Sequence, residues 1–90
     1  MDRQDLHSRL RQLRHELQQV ETLDEGDRQA LAELIGDVQE LLQKKEGHDA
    51  PAYRRLRDRL KGSVLRFEVS HPRVTAVMEE TIDTLVNMGI

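Results

Sequence analysis

Glu68 and His71, in the stretch "RFEVSHPRV", stand three residues apart. On a continuous helix that spacing turns a carboxylate and an imidazole to one side, the half-site from which di-metal centres in helical bundles are built. Such centres need two of these pairs and two further carboxylates. This chain has one pair; two copies would supply two, and Glu79 and Asp83, four apart, could be recruited. The next residue favours a plainer reading. Pro72 disfavours helical geometry at His71 and is itself welcome in the first turn of a new helix. The stretch then reads as a helix end, a corner and a helix start, with Ser70 or His71 as cap and Phe67 turned inward. We prefer the corner to the metal site, and no cofactor is expected.

Little else has the makings of catalysis. His7 and His15 are eight apart and His48 stands alone, so none has metal-ligand spacing. There is no cysteine to act as a nucleophile or zinc ligand, and Ser8, Ser63 and Ser70 lie in no nucleophile elbow. The five glycines are scattered and form no phosphate-binding loop. With one Tyr, one Phe and no Trp, the chain also lacks the usual aromatic lining of a small-molecule pocket. The expectation is a protein that is not an enzyme.

A third chemistry is phosphate binding. "YRRLRDRLKGSVLR" sets Arg54, Arg55, Arg57, Arg59, Lys61 and Arg66 against Asp58 alone, and a basic helix can enter a groove of DNA or lie on phosphates. At 100° per residue, however, Arg55, Arg59 and Arg66 fall on one flank and Arg54, Arg57 and Lys61 on the other. No aromatic residue interleaves for base stacking, and the formal net charge is −3, which weighs against non-specific nucleic-acid binding. The preferred reading is a solvated helix whose arginines pair with acids on the second helix or on the Glu79, Glu80, Asp83 face. A nucleic-acid-associated accessory role is the alternative.

The elements that position these residues are helices. Leu6, Leu10, Leu13, Leu17 and Val20 recur in steps of four, three, four and three, a heptad seam on an otherwise polar helix. A seam this narrow meets one or two neighbours. The second helix begins at Asp24, or at Thr22 through a capping box with Glu25, and carries acids in its first turn. Its stripe of Leu31, Leu34, Ile35, Val38, Leu41 and Leu42 is wider than the first. Lys44 and Lys45 suit its last turn and Gly47 its end. "EGHDAPA" is the only linker candidate.

The third helix packs Leu56, Leu60, Val64 and Phe67 inward, with Leu65 and Val69 on the opposite side near Gly62. A helix apolar on two sides is usually covered on two sides, here by another subunit. The fourth puts Val74, Val77, Met78, Thr81, Ile82, Leu85 and Met88 on one face, and "NMGI" can close it, with Gly89 left-handed and Ile90 folded back as in a Schellman motif.

The predicted architecture is all-α and four-helix bundle-like, one domain over residues 1–90. Helices at about 2–21, 24–45, 52–69 and 72–88 form two antiparallel hairpins, 1–45 and 52–90, joined by a linker at 46–51. Charged residues make up 34% and apolar ones 37%, while ordering the backbone costs about 1–2 kcal/mol per residue. A lone copy would therefore be marginal, and completion by oligomerisation is expected. The interface candidates are Leu6, Leu10, Leu13, Leu17, Leu65 and Val69. Partners are a second copy of the chain or an unidentified protein. No apolar run approaches a membrane span, the opening "MDRQDLHSRL" lacks the apolar core of a secretory signal, and the cytoplasm is the expected location.

"LDEGDRQAL", "RFEVSHPRV" and "LVNMGI", set after the leucine heptads, resemble an uncharacterised bacterial family of short helical proteins classed as a domain of unknown function. The resemblance spans nearly the whole chain, and its more specific parts are the Arg66–Pro72 corner and the "NMGI" ending. It implies a small helical bacterial protein, cytoplasmic, and brings no activity, ligand or catalytic residue with it.

Overall fold

Leu6, Leu10, Leu13 and Leu17 lie along one side of the first helix, α1 (Arg3–Gln19), and their side chains are at most 1% exposed. The structure, a computed structural model, describes residues 3–22, 24–43 and 50–90. Three further helices follow: α2 (Glu25–Gln43), α3 (Ala50–Phe67) and α4 (Pro72–Asn87). The described residues contain no strand. Each helix packs against two others, α1 on α2, α2 on α3, α3 on α4 and α4 on α1. The bundle is therefore a closed square with every neighbour antiparallel, about 37 Å long and 21 × 19 Å across.

The core runs along the axis of the square. Leu34, Val38 and Leu41 of α2, Leu56, Leu60 and Phe67 of α3, and Met78 and Leu85 of α4 meet the α1 leucines there, each at 0–1% exposure. This corrects the expectation for the heptad seam. Leu6, Leu10, Leu13 and Leu17 are covered by the chain's own α2 and α4, so they offer no surface to a second copy. A narrow seam needs only two neighbours, and the bundle supplies both internally.

Local chemistry sets most helix ends. Asp24 is the cap of α2: its Oδ1 accepts the Asp27 N–H at 2.9 Å, while Thr22 Oγ1 accepts the Asp24 N–H at 3.2 Å in the turn before it. α4 ends as expected. Gly89 has φ +86°, the Ile90 N–H donates to the Leu85 carbonyl at 3.1 Å and the Gly89 N–H to that of Val86 at 2.9 Å, the two bonds of a Schellman motif.

Both boundaries of α3 differ from expectation. α3 starts at Ala50 and so takes in Pro51, which was assigned to the linker; proline in a first turn gives up only a donor that has no helical acceptor. α3 also stops at Phe67, two residues early: residues 68–70 form a turn ahead of Pro72, which keeps His71 out of helical geometry. Val64 is only half-buried, and Ser63 takes the inward position beside it. Lys44, Lys45, Gly47, His48 and the rest of the proposed linker up to Asp49 lie outside the described residues.

Two hydroxyls in the α4 core are satisfied within the helix. Thr81 Oγ1 donates to the Val77 carbonyl and Thr84 Oγ1 to that of Glu80, each at 2.9 Å. Back-bonding of this kind lets threonine serve as a core residue.

Candidate interaction surface

The corner at 66–74 is built as a fastening. His71, before Pro72, has φ −138° and ψ 68°. Its Nε2 lies 3.3 Å from the carbonyl oxygen of Glu21, beyond the end of α1. A carbonyl can only accept, so Nε2 carries a proton. In the neutral ring Nδ1 is then the acceptor, and Ser70 Oγ donates to it at 2.9 Å. The ring edge meets Phe67 at a centroid distance of 5.8 Å and an angle of 72°. His71 thus begins α4 without capping it through its side chain; its side chain ties the α3–α4 corner to the α1–α2 connection.

Glu68 and His71, the candidate metal pair, are not brought together on one helix face. Both imidazole nitrogens are engaged, and Glu68 is exposed on the turn that follows α3. Among the described residues no three His, Cys, Asp or Glu side chains are grouped to hold a metal ion.

The same end of the bundle carries two open grooves on either side of Val20 and Glu21. The larger, about 850 Å³, lies between the end of α1 and the first half of α2, over Leu31, Ala32 and Ile35. The smaller, about 420 Å³, lies between α1 and the start of α4. Neither brings together a set of side chains that could act as acid, base and nucleophile.

The basic helix divides only in part as its wheel indicates: Arg59 and Arg66 of one flank meet α2, whereas among the described residues Arg55 of that flank does not pair and Arg57 of the other does. Arg59 reaches α2 at 3.1 Å from Asp37 and 3.8 Å from Glu33. Arg66 pairs with Asp27 and lies 3.8 Å from Asp24. Arg57 turns to its neighbour Asp58 at 3.0 Å. Half of the candidate phosphate-binding set is therefore already neutralised, and among the described residues Arg54, Arg55 and Lys61 have no ion pair. On the opposite side of the bundle Arg9 binds Glu80 at 2.5 Å and Arg73 binds Glu16 at 3.3 Å. These bonds close the α4–α1 seam as Arg59 and Arg66 close the α2–α3 seam. Glu79 and Asp83 stay exposed and have no ion pair among the described residues.

Among the described residues, the large apolar side chains left on the surface are Leu65 at 76%, Val69 at 91% and Val86 at 51% exposed, and all three belong to the α3–α4 hairpin. Leu65 and Val69 stand where the helical wheel put them, outside the core line. Val86 was missed; the signal was available, since it falls 100° from Leu85 and off the inward face.

No helix among the described residues is long and apolar enough to cross a membrane. No curated protein and no solved structure matches the chain. The family described as Domain of unknown function (DUF4404) matches residues 6–90, nearly the whole bundle from the first core leucine to the Schellman ending, and the chain belongs to that family.

Proposed function

We propose that this chain is a non-enzymatic helical interaction module that associates with itself. The observation that carries the reading is the distribution of apolar surface. The core is closed by the chain's own four helices, and yet Leu65, Val69 and Val86 remain exposed on one hairpin. Single exposed aliphatics are ordinary on any protein; their confinement, among the described residues, to one hairpin of a small bundle is what favours a contact face. The polar groups of the corner support the same reading, because His71 and Ser70 are occupied in holding two connections together. A cysteine-free chain needs no oxidising compartment and fits the cytoplasm of a bacterium.

The test is the mass of the full chain in solution as a function of concentration. Light scattering coupled to size exclusion should give a monomer when dilute and a dimer as concentration rises. A mass that stays at one chain throughout would overturn the proposal.

A further inference from the structure

We infer that the outer face of the α3–α4 hairpin is the surface on which two copies meet, with α3 of one copy lying on α4 of the other. This rests on the self-association proposed above and adds its geometry.

Ion pairs hold the α2–α3 and α4–α1 seams, and none among the described residues crosses from α3 to α4. Lys61 and Arg54 point away from the Arg59, Arg66 flank that meets α2. Glu79 and Val86 likewise point away from the Arg73, Glu80 flank that meets α1. All four are exposed, as are Leu65, Ala76 and Asp83. The face is thus a cationic strip on α3 beside an anionic strip on α4, with aliphatic groups toward both ends.

Heights along the hairpin match. With a rise of about 1.5 Å per residue, Lys61 stands about 9 Å from the end of α3 at Phe67 and Glu79 about 10 Å from the start of α4 at Pro72. Arg54 and Val86 stand about 20 and 21 Å along by the same measure. Leu65 and Ala76 lie near the corner.

A two-fold axis in the plane of the face can run either along the helices or across them. Across them, α3 would lie antiparallel on α3 and set its cationic strip of Lys61 and Arg54 against the same strip of the other copy. Along them, each α3 lies on the partner's α4 at the same height, so cation faces anion twice and Leu65 meets Ala76. Charge complementarity selects the second arrangement. Helices of 16 to 18 residues set side by side offer on the order of 500 Å² per copy, below the ~800 Å² of a standard stable complex. The dimer is therefore weak and reversible.

Sedimentation equilibrium of the full chain from micromolar to millimolar concentration tests this. The variants are Lys61→Glu, Glu79→Lys and the two combined. Each position is exposed, and circular dichroism melts check that each variant folds. Because every charge pair occurs twice in the dimer, either single reversal should weaken dimerisation by about tenfold or more. The combined exchange should restore it to within about threefold of the original.

If the parent chain dimerises and the single reversals match it, the contact lies elsewhere: the inference fails and self-association stands. If the combined exchange stays as weak as the single ones, the face is involved without this pairing and the inference fails. If the parent is a monomer throughout, both the inference and the self-association reading fail, and the face is left to a different protein.

Discussion

Arg66, in the last turn of α3, places its guanidinium on the carboxylate of Asp27, in the first turn of α2, 39 residues earlier in the chain. The contact is favoured twice. A cation suits the C-terminal end of a helix and an anion the N-terminal end, and antiparallel packing brings those two ends together. Gly26 makes the room: a Cβ there would come within 2.7 Å of Arg66 Nη2. Arg66→Ala should lower stability by about 0.5–1 kcal/mol, the range of a partly exposed pair. Gly26→Ala should gain less than the ~1 kcal/mol expected from helix propensity, because the new methyl displaces the guanidinium. Urea denaturation of the two variants and of the pair together measures both effects. A full propensity gain at Gly26 with Arg66 present would show that the close approach carries no weight.

His71 offers a test that separates tying from capping. It heads α4 without a side-chain cap while holding the Glu21 carbonyl and the edge of Phe67. His71→Ala removes the tie and supplies no cap, and should cost about 1–2 kcal/mol. His71→Asn removes the same tie but introduces a good N-cap, worth about 1 kcal/mol. The asparagine variant should therefore lie close to the original in a denaturant titration. Equal losses for the two variants would mean that the cap position is closed to any side chain.

The α1 leucines settle what kind of defect their loss produces. Leu13 is 0% exposed in the chain's own core. Leu13→Ala should destabilise the fold by about 2–5 kcal/mol, with loss of helical signal at lower denaturant and whatever the protein concentration. A variant that kept its melting curve and lost only its dimer would put the seam back at an interface between copies.

That distinction was the point at which the sequence fell silent. Heptad spacing reports that a helix has a narrow apolar edge. It is equally suited to helices of the same chain and to helices of another, so Leu6 to Leu17 could be read as an interface. What decides the matter is the number of stripes available to surround them, and Leu34, Leu60 and Met78 close the square internally. Elements governed by neighbouring residues were legible: the Asp24 cap, the break at Pro72 and the Gly89, Ile90 ending each follow from residues within a turn of one another. Pro51 was not, because proline suits a linker and a first helical turn alike. The seams formed by Arg9 with Glu80 and Arg73 with Glu16 were also out of reach, since they depend on which helix stands beside which. For the candidate face, Leu65 and Val69 could be read from the wheel. Its pairing of Lys61 with Glu79 needed the antiparallel heights.

The basic helix leads to a quantitative expectation for nucleic acid. Arg57, Arg59 and Arg66 are held by Asp58, Asp37 and Asp27, so using them on phosphate would mean breaking ion pairs within the bundle. Among the described residues that leaves Arg54, Arg55 and Lys61 without an ion pair, and these do not share one flank. Three phosphate contacts would give a dependence of log affinity on log salt with slope about −2.7 for duplex DNA, too few for firm binding near physiological ionic strength by a chain of net charge −3. Fluorescence anisotropy with a labelled duplex should show no binding at ~0.15 M salt and at most a weak, shallow dependence below it. A slope well beyond −3 would require the paired arginines to leave their carboxylates for phosphate. The helix would then be a nucleic-acid surface, and its ion pairs with α2 a resting state.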